Sequence, residues 1–277
     1  MKVFIAGATG VLGRRLVQRL CARGDSVVGL ARTSTAAHAL RALGALPSHA
    51  DLFDGDALAR AADGCEVIVH AATAIPQTAR PRDRDWATND RIRRAGTQAL
   101  THCAAQVGAR LYLQQSVIWV AQPLADVPFT EDTPPAPDPV VRSALDGERM
   151  AQAAGARHGF GVAVLRCGMF YGFDSAHTRM MAEALRRRRL PIFGKGNAFW
   201  SCLHLDDAAD AFAAAAVAGR AGLWHVVDHE PVPVHDYLNY FAARLRAPPP
   251  QRVPTWLGRL LAGPAAVRFF NRSSRTS

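Results

Sequence analysis

Apolar and polar positions follow one another along the chain in blocks that predict strands and helices in turn. The first block, Val3 to Ala6, has four consecutive apolar residues and predicts a strand buried on both faces. Apolar residues at helical spacing follow at Leu12, Leu16, Val17 and Leu20. Further strands are predicted at 25–30, 65–73, 110–116, 161–166 and 223–227, with helices at 36–43 and 86–107. This alternation predicts an α/β fold with a parallel sheet built from right-handed βαβ units.

In the last third of the chain the blocks of apolar and polar residues are shorter. Residues 190–197 predict a turn-rich strand pair beside a substrate cleft, and 208–217 and 234–245 predict helices. His204 and Asp207 precede the first of these helices. A catalytic dyad is one interpretation, but a polar residue and an acid at this point are more typical of a helix start. The proline cluster 248–250 leads into a tail with no predicted element.

Composition narrows the class of protein. At 277 residues the chain can bury a large core, and no transmembrane segment or signal peptide is predicted, so we expect a cytoplasmic protein. Five widely spaced cysteines predict neither a disulfide framework nor a metal site. The net charge of +10 comes almost wholly from arginines that are scattered over predicted helices. The one run, 186–189, follows a helix, where cations complement the dipole, and nucleic acid is not an expected partner.

A glycine turn after the first strand carries the main chemical signal. Gly7, Gly10 and Gly13 have G-x-x-G-x-x-G spacing between an apolar strand and an amphipathic helix. In such a turn the first glycine allows a sharp bend, the second leaves room for a pyrophosphate and the third lets the helix lie close to the sheet. The turn predicts a dinucleotide site that includes Gly7, Thr9, Gly10, Val11, Leu12 and Gly13.

The ends of the next strands indicate which dinucleotide binds. An acid after the second strand would bind the ribose hydroxyl of NAD, whereas Ala31 followed by Arg32 suits the 2′-phosphate of NADP. We therefore expect NADPH or NADP, with NADH or NAD as the alternative and a plain surface arginine as the other interpretation of Arg32. Asp51 and Leu52 are expected beside the adenine. The small residues that end the 65–73 strand leave space for the cofactor, namely Ala71, Ala72 and Thr73.

The ordered motifs resemble extended short-chain dehydrogenases/reductases, and within them the NAD-dependent epimerase/dehydratase group. The resemblance rests on the glycine turn, Asp51, 70–72, Gly96-Thr97, Ser116, 165–172 and 204–209. It implies a Rossmann doubly wound parallel sheet over 1–165 and a mainly small substrate-binding portion over 166–277, with segments that return to the core. It also implies that Ser116 contacts the substrate carbonyl, and that further cofactor contacts come from Gln115, Cys167, Gly168 and Met169.

One departure from the family pattern decides the expected chemistry. The family's Tyr-x-x-x-Lys pair precedes a glutamate by four residues, and counting back from Glu148 puts Ala144 at the lysine and Val140 at the tyrosine. None of the four tyrosines is followed by a lysine at that spacing. The chain is similar to atypical reductases without this pair, including ketoreductases that tailor aromatic polyketides. A non-catalytic NADP-binding sensor or scaffold, or a nucleotide-sugar epimerase or dehydratase, remains as an alternative.

The proton for a reduced carbonyl must then come from elsewhere. Ser116 and Tyr171 are the candidate catalytic residues, with Ser116 expected to orient and polarise the carbonyl and Tyr171 lacking a lysine to lower its pKa. A hydroxyl of the substrate, or a water molecule, is the favoured proton source. The expected partner is therefore a small molecule, an aromatic ketone, bound to a monomer or homodimer.

Overall fold

The computed structural model describes residues 1–78, 81–123 and 126–276. Its strands are β1 (Lys2–Ala6), β2 (Ser26–Leu30), β3 (Leu46–Ser48), β4 (Val67–His70), β5 (Leu111–Val117), β6 (Gly161–Cys167), β7 (Met169–Tyr171), β8 (Ile192–Phe193), β9 (Phe199–Trp200), β10 (Cys202–His204), β11 (Gly222–Val226), β12 (Val232–Pro233) and β13 (Arg252–Val253). Its α-helices are α1 (Gly13–Ala22), α2 (Ser34–Ala42), α3 (Gly55–Ala61), α4 (Ala87–Arg91), α5 (Thr97–Gln106), α6 (Arg142–His158), α7 (Ala176–Arg186), α8 (Leu205–Ala218), α9 (Val234–Arg244), α10 (Thr255–Ala262) and α11 (Pro264–Asn271). Across the described ranges, no helix combines the length and apolar character needed to cross a membrane.

A seven-stranded parallel sheet forms the centre of the molecule. The strand order is β11-β6-β5-β4-β1-β2-β3, and each neighbouring pair is parallel. The order reverses between β1 and β4, which is the place where doubly wound sheets open a ligand crevice at their carboxyl ends. The predicted α/β Rossmann class is confirmed.

Helices cover both faces of the sheet. On one face α1 and α8 pack over apolar residues of the central strands, including Val3, Ile5 and Leu113. On the other face α3, α5 and α6 pack over residues that include Phe4 and Tyr112. Because every second residue of a strand points to the same face, these two sets alternate along β1 and β5. Because both faces are covered, consecutive residues of these strands are apolar, and the sequence shows continuous apolar runs.

The segment at 190–197 is not the predicted strand pair, and that prediction is wrong. Its one short strand, β8, pairs in parallel with β13, some sixty residues further along the chain. Two more short pairs join β7 to β10 and β9 to β12. Elsewhere in the second half, α8 packs on α1, and β11 joins the main sheet beside β6. The strand β6 runs across residue 165, so the sheet continues past the proposed division of the chain.

The tail beyond the proline cluster is folded. Two helices, α10 and α11, are followed by a buried strap in which Ser273, Ser274 and Thr276 are each at most 6% exposed. The Ser274 amide donates to the Phe199 carbonyl at 2.7 Å, and the Ser201 hydroxyl donates to the Thr276 carbonyl at 2.8 Å. The strap therefore fastens the end of the described chain to the β9–β10 segment.

Candidate functional site

The glycine turn between β1 and α1 fits a dinucleotide. Gly7 has a φ of +91°, and a Cβ there would lie 2.5 Å from the Ala71 carbonyl carbon and oxygen. A Cβ on Gly13 would collide with the carbonyl oxygen of Gly7. The Gly10 amide donates to that same Gly7 carbonyl at 2.9 Å, and Thr9 and Gly10 are exposed at the tip of the turn. The turn is thus held close to β4 with its outer edge open, as a pyrophosphate requires.

An ion-pair network fixes the helix that follows this turn. Arg15 donates to the Val11 carbonyl and to Asp174, each at 2.9 Å, and to Asp206 at 2.9 Å. Arg14 pairs with the same Asp174. The hydrogen bond from Arg15 lowers the pKa of Asp174, even though burial acts in the opposite direction. Side chains from the second half of the chain therefore hold α1, and with it Val11 and the buried Leu12, in place.

The remaining predicted cofactor residues gather at the carboxyl ends of the parallel strands. Arg32 is exposed directly after β2, and among the described residues its guanidinium has no ion-pair partner. Asp51 is exposed and accepts a hydrogen bond from the Phe53 amide at 3.0 Å, while the neighbouring Leu52 is half-buried. Ala71, Ala72 and Thr73 leave β4 beside Gly7 with increasing exposure.

The predicted residues on β5 and after β6 are more enclosed. Gln115 is half-buried, and its carbonyl accepts from the Gln114 side chain at 3.0 Å. Cys167 is 1% exposed in the core under α1 and α8, so its side chain does not face a crevice. A Cβ on Gly168 would lie 2.5 Å from the Ser201 carbonyl, and Met169 is 5% exposed. These residues can offer a cofactor their backbone more readily than their side chains.

Taken together, the residues present fit a nicotinamide dinucleotide. The glycine turn is a cradle that any Cβ at two of its positions would fill, and Arg32 offers an exposed cation close after β2 with no ion-pair partner among the described residues. When bound, such a cofactor supplies or accepts a hydride. This chain would hold the cofactor with four parts, namely the glycine turn, Arg32, Ala71–Thr73 and Gly168.

Ser116 belongs to a buried triad. It lies directly opposite Arg166 in the β5–β6 pairing, and both are at most 3% exposed. Its hydroxyl donates to Glu148 of α6, and the same carboxylate accepts two bonds from Arg166, at 3.0 and 2.7 Å. In this arrangement the Ser116 hydroxyl directs its one proton to Glu148, and its oxygen keeps the capacity to accept a hydrogen bond.

Tyr171 has different surroundings. Its ring packs edge-on against His204 with centroids 5.1 Å apart, and the carboxylate of Asp228 acts on its hydroxyl. Burial raises the pKa of this phenol, and the Asp228 carboxylate raises it further. His204 caps α8, where its Nδ1 accepts from the Asp206 amide at 3.3 Å, in agreement with the predicted helix start.

The positions counted as the missing tyrosine and lysine lie on and before α6. Val140 is in a 3₁₀ turn over Pro139–Val141 and is 39% exposed, whereas Ala144 is 4% exposed on the first turn of α6. Neither side chain can donate or accept a proton. Glu148, which served only as the reference for the count, is one turn further along the same helix.

Three further polar residues are buried near this helix, and of these the sequence singles out only His70, as catalytic or, with more weight, as a packed histidine. His70 is 1% exposed, its Nε2 lies 3.2 Å from the Ile92 carbonyl, and burial lowers its pKa to about 4. Asn89 is buried on α4, and Arg93 is buried on the π turn Ile92–Gly96 that joins α4 to α5. Such turns are frequent at functional sites. In the sequence, Asn89 and Arg93 belong only to a series of polar residues at every fourth position, and such a series is also typical of a solvated helix face.

The comparisons with known proteins agree with this arrangement. A profile of the NAD dependent epimerase/dehydratase family matches residues 3–226. The chain belongs to that family. It is 36% identical, over 95% of its length and 88% of the relative, to a Streptomyces protein named 3-diazoavenalumate denitrifying reductase. It is 28% identical, over 86% of its length and 72% of the relative, to the 4-hydroxy-2-methyl-3-oxo-4-farnesyl-3,4-dihydroquinoline-1-oxide ketoreductase of Stigmatella aurantiaca. The family member is thus an NAD(P)-dependent oxidoreductase with reductases among its relatives.

Solved structures match in fold. A dTDP-glucose 4,6-dehydratase from Streptomyces venezuelae with bound NAD superimposes with a TM-score of 0.77 at 23% identity, covering 92% of this chain and 84% of the other. A Thermus thermophilus UDP-glucose 4-epimerase in complex with NAD gives a TM-score of 0.76 at 21% identity, with coverages of 92% and 86%. At these identities the likeness extends to the fold alone.

Proposed function

We propose that this family member is an NADPH-dependent reductase of a largely apolar or aromatic small-molecule carbonyl in secondary metabolism. The observation that carries the proposal is the pairing of a complete glycine cradle with a reaction centre that has no Tyr-x-x-x-Lys acid. Hydride transfer depends mainly on holding the carbonyl against the cofactor, and positioning supplies several kcal/mol of barrier reduction by itself. A missing acid costs about 10²–10⁴-fold, which slows a reductase without abolishing its activity.

The proton for the new alcohol comes from the substrate or from water in this proposal. The Ser116 proton is directed to Glu148, and burial together with the Asp228 carboxylate raises the pKa of the Tyr171 phenol. A substrate hydroxyl next to the ketone can instead pass its own proton to the oxygen of the new alkoxide, and then recover a proton from water. The name of the Stigmatella relative places a hydroxyl on the carbon beside the ketone, which is the kind of substrate this arrangement suits.

The preference for NADPH rests on Arg32. An exposed guanidinium without an ion-pair partner among the described residues is free to bind a 2′-phosphate. Arg32→Asp should weaken NADPH binding by about tenfold or more, since hydrogen bonds to charged groups contribute about 1.5–3 kcal/mol, and should change NADH binding little. Fluorescence titration of both cofactors measures this, with the exposed Arg41→Asp at the far end of α2 as the matched control. Equal affinity of the wild type for both cofactors would refute the preference.

A second candidate reaction is the reductive removal of dinitrogen from a diazo-substituted ring. Here hydride forms the new C–H bond at the ring carbon of the diazonium form, the C–N bond breaks, and its electron pair leaves with N₂. The charges cancel and no proton is needed, so the absence of an acid at 140 and 144 is no handicap. The Streptomyces relative, with 36% identity, is named for a diazo substrate and for denitrifying reduction, which favours this candidate.

A turnover assay separates the candidates. NADPH oxidation is followed with polycyclic aromatic ketones and, in parallel, with a hydroxylated aryl diazonium, where N₂ release is also measured. Turnover with ketones supports the first candidate, and N₂ release in step with NADPH oxidation supports the second. Cofactor binding without turnover of either substrate class would instead indicate a sensor or scaffold. An epimerase or dehydratase is the weaker alternative because those reactions also need the missing base.

A further inference from the structure

Arg93 is a buried cation without a counter-ion. It is 8% exposed, and the described residues give its guanidinium no ion pair. Its Nη1 is fully buried and has no hydrogen-bond partner. The two nearest carboxylates are engaged elsewhere, since Glu148 binds Arg166 and Ser116, and Asp90 accepts from the Ser143 hydroxyl at 2.6 Å. Burial outweighs the attraction of both carboxylates and lowers the pKa of Arg93 to about 10.

A charge in this position is unfavourable for the free protein. Removing a guanidinium from water without pairing it costs several kcal/mol, and proteins rarely retain such a group unless a ligand completes its surroundings. An unsatisfied buried polar group is therefore a candidate for a site that a ligand completes.

A second unsatisfied donor lies one helical turn away from Arg93. Asn89 is completely buried, and its Nδ2 has no hydrogen-bond partner. Its Oδ1 accepts from the Ala74 amide at 3.0 Å, which ties it to the segment that continues from Ala71–Thr73 at the predicted cofactor crevice. Residues four apart share one face of a helix, so the amide and the guanidinium lie on the same side.

The backbone at Arg93 is fixed against α6. The Thr97 hydroxyl donates to the Arg93 carbonyl at 2.7 Å, and a Cβ on Gly147 would lie 2.8 Å from that carbonyl oxygen. Ala144, where the family lysine is missing, precedes Gly147 by about one turn of the same helix. The backbone of Arg93 thus packs against the helix on which the family lysine is missing.

We propose that Arg93 and Asn89 form an oxyanion-binding site, in which the unpaired guanidinium edge and the side-chain amide bind an anionic oxygen of the substrate, a carboxylate or a phenolate. The proposal rests on the reductase function only in that its ligand is the substrate of that reaction. Guanidinium and amide N–H groups together match the lone pairs of such an oxygen. The aromatic substrate class is thereby narrowed to ring compounds that carry an acidic group.

The site is tested by titrating three probes calorimetrically, with and without NADP⁺. The probes are 4-methoxycinnamate, which offers a carboxylate, 4-hydroxybenzaldehyde at a pH where its phenol is ionised, and the neutral methyl 4-methoxycinnamate. Arg93→Met should weaken binding of at least one anion by about tenfold or more and leave the neutral ester nearly unchanged. The anion that loses affinity identifies the source of the oxygen. Arg94→Met, which removes an exposed arginine paired with Asp146, is the matched control.

Thermal unfolding separates a binding role from a structural one. Because Arg93→Met removes an uncompensated buried charge, its Tm should equal or exceed that of the wild type. Arg93→Gln gives the same titration comparison if the methionine variant does not fold. The proposal is overturned if the wild type binds neither anion more tightly than the ester, if Arg93→Met retains anion binding, or if all probes weaken equally with a lowered Tm. A failure of NADPH binding would contradict the reductase function, while titration of the cofactor-free protein would still test Arg93.

Discussion

Replacing Glu148 by glutamine breaks the most deeply buried ion pair of the described chain. Glu148 and Arg166 have side chains that are each 3% exposed, and the carboxylate accepts hydrogen bonds from both Arg166 Nε and Nη2 as well as from Ser116. Glutamine keeps the shape of the side chain but replaces one acceptor oxygen by a donor. Arg166, whose Nη1 already has no partner, is then left as a buried uncompensated cation.

The size of the effect follows from this burial. Removing one partner of a buried ion pair typically destabilises a protein by about 3–5 kcal/mol, because the remaining charge stays desolvated. Against a total stability of about 5–15 kcal/mol for an ordinary domain, Glu148→Gln should remain folded in water and unfold at a much lower urea concentration. The pair between Arg94 and Asp146, at 45% and 35% exposure, should contribute less than about 1 kcal/mol.

Urea unfolding of three variants measures this difference. Glu148→Gln should lose about 3–5 kcal/mol and the control Asp146→Asn less than about 1 kcal/mol. The double variant Glu148→Leu with Arg166→Met removes both charges and should recover much of the loss. A loss below about 1 kcal/mol for Glu148→Gln, or a double variant less stable than the single one, would refute the reasoning.

Two further predictions concern the glycine cradle and a buried histidine. Gly13→Ala places a methyl group against the Gly7 carbonyl, so we expect cofactor affinity, measured by fluorescence titration, to fall by about tenfold or more, whereas the open Gly24→Ala should leave it unchanged. His70 stays neutral in the folded protein because burial lowers its pKa to about 4, while the unfolded chain takes up a proton near pH 6.5. Its contribution to stability is therefore present above pH 6.5 and lost as the pH falls towards 4. Urea titrations at pH 7 and pH 4 give the difference in stability between the two pH values. His70→Gln should reduce that difference by about 2–3 kcal/mol, and an unchanged difference would contradict a neutral, buried His70.

The sheet was predictable because its signals are local. The strands β1, β2, β4, β5 and β6 contain apolar runs that the sequence pattern locates, whereas β3 and the helices α3 and α6 were not predicted. The β8–β13 pair was not predictable, because two-residue strands have no periodicity and the partners are about sixty residues apart. The helices α10 and α11 were missed because the proline cluster before them indicated an irregular tail.

Some residues of the site could also be predicted from local sequence signals, and others could not. The glycine turn could be predicted since its spacing and its flanking strand and helix are contiguous in the sequence, and Arg32 follows a strand directly. The Glu148–Arg166 pair and Arg93 could not, because a charged residue in an apolar run or on a helix gives no sign of its burial. Only the tertiary contacts reveal that the Ser116 hydroxyl donates to Glu148.

The central claim is that hydride transfer in this protein uses no general acid from the chain, and Tyr171→Phe tests it most directly. Steady-state kcat is measured with NADPH and an aromatic ketone bearing a neighbouring hydroxyl, at several pH values, for wild type, Tyr171→Phe and Ser116→Ala. Because burial and the Asp228 carboxylate raise the pKa of the Tyr171 phenol, we expect a loss in Tyr171→Phe of less than about tenfold and an unchanged pH profile. A loss of more than about a thousandfold with NADPH binding intact would make Tyr171 the acid and contradict the account.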